Sequence, residues 1–156
     1  MISSSVSTCQ QAGKALTSWN EALPKAEGKT LEGQLSQSSN EIEAIKAAVY
    51  ENLRAMQRED LEAYLATLDP GSPAFEDTKA LTQDLFDTYD LKIELNSVQV
   101  INTSGNEAKV RVTETTRKIA GPDFKDNITT GIHTLRKSNG RWKLYISDVE
   151  KIEYLN

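Results

Sequence analysis

Apolar residues between positions 41 and 90 recur at steps of three and four, which is the spacing of one face of an α-helix. The first apolar stripe follows Asn40, which together with Glu43 fits a capping box. The second follows Asp60, which fits an N-cap, and the third follows Ser72-Pro73, a cap with proline at the first helical position. This segment therefore predicts three helices.

From residue 91 onward the period changes to two, because apolar and polar residues alternate as they do in strands. A change of phase at Asn96-Ser97 indicates a bulge or bend. Asn139-Gly140 is the strongest short signal for a tight hairpin, and Trp142 is expected to be buried beside it. Helices followed by strands predict an α+β fold, with three N-terminal helices packed in a strongly curved antiparallel sheet.

Composition narrows the choice of function. The chain has 156 residues, a net charge of −5, one cysteine and one histidine. An acidic protein is a poor nucleic-acid binder, one cysteine excludes an internal disulfide, and one histidine argues against a His-rich metal site. Since no apolar run approaches the ~20 residues of a membrane helix and no signal peptide is recognisable, we expect a cytoplasmic protein. No metal-ligand spacing or phosphate-binding loop is present in the sequence, so we also expect no metal and no cofactor.

Residues 1–40 differ in composition from the rest and predict an N-terminal extension. Serines cluster at both of its ends, and Leu16, Trp19 and Leu23 recur at helical spacing between them. We expect this extension to be partly disordered or to form one short helix over about 12–23. The folded domain is expected to span residues 41–156.

Two stretches resemble the nuclear transport factor 2-like superfamily, which includes SnoaL-like cyclases and ketosteroid isomerases. One is Asp-Leu-Glu-Ala-Tyr-Leu at 60–65, and the other is His-Thr-Leu-Arg-Lys-Ser-Asn-Gly-Arg-Trp-Lys-Leu at 133–144. The resemblance covers about 41–156 and implies a cystatin-like cone with a pocket between helices and sheet. No catalytic signature of a named enzyme of the superfamily is matched, so the resemblance implies a fold and not an activity.

The hairpin register predicts which side chains reach that pocket. A two-residue loop at Asn139-Gly140 pairs Leu135 with Leu144, and an unbroken ladder would then pair His133 with Ile146 and Gly131 with Asp148. The candidate catalytic residues are accordingly Glu114, His133 and Asp148, which would share the face turned toward the helices. The predicted pocket-lining residues are these three together with Tyr50, Tyr64 and Tyr89.

Three functions are compatible with such a pocket. The first, which we favour, is binding of a small apolar or amphipathic ligand without chemistry. The second is an isomerase, cyclase or lyase that uses these residues as general acid and base. In the third the domain is an association module without pocket chemistry, which dimerises through its sheet and recruits a partner by its N-terminal segment. If the pocket is no site at all, His133 is simply a hydrogen-bonded, half-buried strand residue.

The opposite face of the sheet predicts a dimer surface. Ile, Thr and Tyr side chains alternate on it, which would leave an unusual apolar patch on a monomer unless the N-terminal extension covers it. The residues of this predicted outer patch are Ile128, Thr130, Ile132, Thr134 and Tyr145.

Overall fold

The first helix is longer than the pattern predicts. The structure is a computed structural model that describes residues 31–156, with side chains described from residue 38 onward. Helix α1 spans Leu31–Gln57, so Asn40 lies inside it and the predicted capping box at Asn40 was wrong. Ser and Asn each cost roughly 0.5 kcal/mol relative to alanine in a helix interior, so this polar run does not end the helix. The predicted helix over 12–23 lies outside the described residues, and the division at residue 40 stays a prediction.

Two shorter helices follow, as predicted. Helix α2 spans Leu61–Ala66, and the Asp60 carboxylate accepts the hydrogen bond of the Ala63 amide at 3.0 Å, which confirms the predicted cap. Helix α3 spans Phe75–Thr88 and so begins two residues later than predicted. The Ser72 hydroxyl accepts from the Ala74 amide at 3.0 Å, so Ser72 holds the turn before the helix and is not its N-cap.

Four strands form one antiparallel sheet in the order β1-β2-β3-β4. They are β1 (Asp90–Ser104), β2 (Glu107–Ala120), β3 (Asn127–Ser138) and β4 (Arg141–Tyr154). The register of β1 against β2 shifts between Leu95 and Ser97, which confirms the predicted irregularity at Asn96. The α+β prediction is confirmed, and the apolar core lies between the helices and the inner face of this sheet.

The β3–β4 hairpin departs from the predicted register beyond its first pairs. Leu135 pairs with Leu144 as predicted, but Thr134 then pairs with Ile146, which leaves Tyr145 as an extra residue in β4. The predicted pairs of His133 with Ile146 and of Gly131 with Asp148 were therefore wrong. His133 pairs with Ser147, because the bulge at Tyr145 advances β4 by one residue.

A second register shift follows near Gly131. Gly131 pairs with Val149, whereas Thr130 pairs with Lys151. A β-carbon built on Gly131 would lie 2.7 Å from the Asp148 carbonyl oxygen, which is closer than real side chains come. Glycine at this position is thus required by the close approach of the β4 backbone.

Helices and sheet are tied together at both sheet edges. The Gln57 side chain donates to the Leu91 carbonyl at 3.2 Å and accepts from the Ile93 amide at 2.7 Å, which engages the free edge of β1. On the β4 edge, the Leu144 amide donates to the Thr67 carbonyl, and the Asp69 amide donates to the Leu144 carbonyl. These bonds hold the outer strands against the helical layer.

Trp142 joins α1 to the hairpin. It is 7% exposed, which confirms the predicted burial. Its indole N–H donates to a Glu41 carboxylate oxygen at 2.6 Å, and the Lys137 ammonium lies 3.0 Å from the same oxygen. The hydrogen bonds of Lys137 and Trp142 lower the pKa of Glu41, so the carboxylate is held in its charged form.

Candidate functional site

A cavity of about 40 Å³ lies between the three helices and the inner face of the sheet. At ~10–15 Å³ for each water, it holds about three waters or a ligand of few atoms. The lining residues that carry the argument come from all three helices and from β2, β3 and β4: Asn52, Met56, Tyr64, Phe75, Thr78, Glu114, His133, Tyr145 and Ser147.

Alternation along β2 places Glu114 in this wall. Val110 and Val112 point into the core, and the next residue on the same face is Glu114. It is 7% exposed, and Thr129 is its partner on β3. A carboxyl group thus occupies a position at which the strand pattern otherwise supplies valine.

One oxygen of the Glu114 carboxyl is buried without a protein partner. The Oε1 atom is enclosed and makes no hydrogen bond. Burial raises the pKa of Glu114 to about 7, because the charged form is disfavoured away from water. At neutral pH both the protonated and the ionised form of the group are therefore populated.

His133 is the second titratable group in the wall. Its Nδ1 atom lies 2.5 Å from the Ser147 hydroxyl, the residue that the observed register places opposite it. Although His133 keeps some exposed surface, burial of its ring lowers its pKa to about 4, so the imidazole is neutral at pH 7. The Nδ1 atom is engaged by Ser147, and either partner can be the donor.

A smaller cavity of about 20 Å³ adjoins the same residues. It shares Glu114, His133 and Ser147 with the larger one, and Asp148 contributes to its wall. Asp148 pairs with Ile132 across the strands. Burial lowers the pKa of nearby Lys109, and the charge of Asp148 partly offsets that lowering. Asp148 thus has a cation beside it.

The three predicted tyrosines occupy different environments. Tyr64 lines the larger cavity, whereas Tyr50 is 43% exposed and is not among the lining residues. Tyr89 packs edge-on against Phe124 at 5.5 Å between ring centroids, and its hydroxyl donates to the Asp123 carbonyl. The functional roles of these tyrosines, and those of Glu114, His133 and Asp148, stay predictions.

Tyr145 contributes to the cavity, although the unbroken ladder placed it on the outer patch. It is the extra residue of the β4 bulge, so its side chain does not follow the alternation of its neighbours. The Arg136 guanidinium covers its ring, with 3.7 Å between the guanidinium carbon and the ring centroid.

Several lining residues were missed by the sequence reasoning. Asn52 lines the cavity from α1 and Thr78 from α3, and a polar residue on the inward face of a helix is a signal that could have found them. Ser147 was missed because the bulge at Tyr145 moves it opposite His133. No pattern in the sequence marks that bulge.

The arrangement has limited chemical options. A carboxyl group that titrates near neutrality and a neutral imidazole can bind a polar group or move a proton. Among residues 31–156 there is no group of three or more His, Cys, Asp or Glu side chains placed to hold a metal ion. Within the same residues, no helix is both long enough and apolar enough to cross a membrane.

A protein-family model matches most of the helices and sheet described above. The family is described as "Anti-sigma-I factor RsgI9, C-terminal domain", and the match spans residues 47–155. Anti-sigma-I factor RsgI9 of Acetivibrio thermocellus is 37% identical over 107 residues. The match covers 69% of this chain, and the chain spans only 15% of the length of that relative.

Solved structures share the fold at low sequence identity. A ketosteroid isomerase-like protein from Erwinia carotovora atroseptica has a TM-score of 0.54 at 24% identity, covering 74% of this chain and 97% of its own. A protein with a cystatin-like fold from Nostoc punctiforme has a TM-score of 0.57 at 18% identity, covering 69% and 87%.

A candidate dehydratase of the NTF2-like family from Streptomyces avermitilis has a TM-score of 0.55 at 20% identity, covering 70% of this chain and 94% of its own. These likenesses confirm the nuclear transport factor 2-like, cystatin-like fold predicted from the sequence. At such identities they show the fold alone.

Proposed function

We propose a small-molecule-binding function for this chain, which belongs to the family of the C-terminal domain of anti-sigma-I factor RsgI9. The ligand enters the cavity between helices and sheet. The observation that carries this proposal is the buried Glu114 carboxyl, whose Oε1 atom has no hydrogen-bond partner. Leaving such a group unpaired costs ~1–3 kcal/mol or more, which a ligand that pairs with it offsets.

The family match supports a regulatory setting for this binding. The matched relative is an anti-sigma factor by name, and the chain spans 15% of its length, the scale of one module. We infer that the ligand state of this domain is passed to a protein partner, of which a sigma factor is the candidate. This regulatory role would be exercised by a longer protein of which such a domain is one part.

A cavity-filling variant tests the binding proposal. Ala74 is buried just before α3 and lines the cavity, so Ala74→Leu fills space that a ligand would use. We expect it to abolish the NMR shift changes that small apolar fragments cause at His133 and Ser147. The matched control is Ala80→Leu at an exposed position of α3, which should leave them intact. Equal responses in both variants would refute ligand entry at this cavity.

Acid–base catalysis is the second candidate function. It is favoured by one observation, the pKa of about 7 at Glu114, which suits a general acid or base at neutral pH. An isomerase or lyase of this kind would exchange the α-protons of a small ketone such as 2-butanone in heavy water. Exchange by the native chain that is lost in Glu114→Gln would favour catalysis, and binding without exchange would favour the first proposal.

Homodimerisation through the outer face of β3, at Ile128, Thr130 and Ile132, is proposed as a property of the same domain. The predicted outer patch is reduced to these three residues, because Thr134 is buried and Tyr145 lines the cavity. Thr130 and Ile132 are only half-buried in the single chain, which leaves this face of β3 open to a second copy. Sedimentation of the native chain and of Ile132→Lys tests it, since a monomeric variant beside a native dimer is the expected result. A native monomer would refute it.

A further inference from the structure

We propose that the ligand of the cavity is a small primary amine, bound as its ammonium ion with the Glu114 carboxylate as its counter-charge. This inference rests on the proposed function, because it names the ligand class for the same cavity. It follows from the charges, hydrogen bonds and dimensions of the wall.

The wall offers negative charge and no positive charge. Of the described residues that line the two cavities, none is lysine or arginine. Helices α1 and α3 contribute only uncharged side chains to the larger cavity. The titratable groups that line the cavities with Glu114 are Tyr64 from α2, His133 from β3, and Tyr145 and Asp148 from β4.

The cation that contacts the Tyr145 ring is already paired with a carboxylate. Arg136 lies over the Tyr145 ring, but its guanidinium donates to the Glu107 carboxylate at 2.9 Å. It is not a lining residue of either cavity. It therefore does not supply the charge that the wall lacks.

The two carboxyl groups of the wall differ in whether a cation lies near them. Asp148 lies near the Lys109 ammonium: burial lowers the pKa of Lys109, and the charge of Asp148 partly offsets that lowering. Among the described residues no such cation shifts the pKa of Glu114, and its Oε1 atom accepts no hydrogen bond. A cationic ligand would supply the missing charge, whereas an anionic ligand would place a further negative group beside Glu114, whose pKa no described cation shifts.

Hydrogen bonding and shape agree with this choice. An ionised carboxylate only accepts hydrogen bonds, so its partner must be a donor. Tyr64 and Phe75 place aromatic side chains in the wall, and such rings favour cations over their faces and pack well against a short hydrocarbon. The cavities of about 40 and 20 Å³ limit the ligand to few heavy atoms.

Calorimetry with three molecules of similar shape tests the proposal: isobutylamine, isobutanol and isobutyrate. Burial raises the pKa of Glu114 to about 7, so at pH 6 the carboxyl is mostly protonated and must lose its proton when the ammonium binds. We therefore expect roughly 0.9 proton released for each isobutylamine bound at pH 6, measured in buffers of different ionisation enthalpy. Affinity for isobutylamine should rise about tenfold from pH 5 to pH 6 and level off near pH 8.

Two variants test the assignment to Glu114. Glu114→Gln should weaken isobutylamine binding at pH 8 by at least about tenfold while isobutanol binding changes little. Glu43→Gln is the matched control, since it makes the same substitution at an exposed position of α1 outside both cavities, and it should leave the proton release unchanged.

The outcomes distinguish this inference from the function on which it rests. Isobutanol binding as tightly as isobutylamine, with no proton released, overturns the amine proposal and leaves the binding function standing. Tighter binding of isobutyrate overturns it equally. If none of the three perturbs the resonances of His133 and Ser147 at about 10 mM, both the amine proposal and binding at this cavity fail.

Discussion

Replacing the buried carboxyl with an amide of the same shape, Glu114→Gln, should make the stability of the protein less sensitive to alkaline pH. Burial raises the pKa of Glu114 from an ordinary 4.5 to about 7 in the folded chain. The unfolded chain then ionises before the folded chain does. The stability that the protonated carboxyl contributes is therefore fully present below about pH 4.5 and is lost as the pH rises through about 7.

The size of the effect follows from that difference in pKa. Each pKa unit corresponds to ~1.4 kcal/mol, so the raised pKa costs about 3 kcal/mol at pH 8 and less than about 1 kcal/mol at pH 5. The amide does not titrate, but it is itself a buried polar group, so its own cost enters equally at both pH values. We therefore expect the free energy of unfolding of Glu114→Gln, relative to the native chain, to increase by about 2–3 kcal/mol from pH 5 to pH 8.

Urea unfolding followed by tryptophan fluorescence at pH 5, 6, 7 and 8 measures this difference. Glu43→Gln is the matched control, because it removes the same charge from an exposed position of α1. Its stability should run parallel to that of the native chain. Parallel curves for Glu114→Gln as well would refute the burial of an uncompensated carboxyl, and with it the argument for the site.

Three further predictions concern His133, Trp142 and the start of helix α1. Burial lowers the pKa of His133 to about 4, so the stability that the neutral imidazole contributes is present above about pH 6.5 and is lost as the pH falls toward 4. His133→Gln cannot titrate, so in unfolding curves at acid pH it should lose up to about 3 kcal/mol less stability than the native chain does. Trp142→Phe removes a hydrogen bond to the Glu41 carboxylate and should cost about 1–3 kcal/mol in urea unfolding followed by circular dichroism, and no loss would contradict the bond. The fragment 41–156 should fold alone, and an unfolded circular dichroism spectrum would mean that the part of α1 before residue 41 is required.

The sequence predicted the fold well where local chemistry and tertiary packing agree. Alternation along β2 placed Glu114 on the same face as inward-facing valines, and Asn139-Gly140 set the hairpin turn, where both residues adopt positive φ. Because the turn was right, the first pairs of the hairpin were right as well.

The prediction failed where one residue changes the phase. Because Tyr145 is an extra residue in β4, Ser147 and not Ile146 lies opposite His133. The alternating pattern cannot reveal this bulge, since Leu144 and Ile146 on either side of Tyr145 are apolar as well. Tyr50 follows Val49 directly, so it is turned about 100° around the helix from the buried stripe and faces solvent. Helical spacing constrains a face, but it does not by itself say which aromatic side chain reaches a cavity.

The hydrogen bonds at the sheet edges also govern how copies of this protein can associate. A free edge strand is a template on which another chain can add, and repeated addition leads to open-ended aggregates. The side chain of Gln57 occupies that template at Leu91 and Ile93, and the backbone of Thr67 and Asp69 occupies the other edge at Leu144. Strand addition is thereby blocked at these points on both sides of the meander, so a second chain cannot extend the ladder there without first displacing these helix-to-sheet bonds.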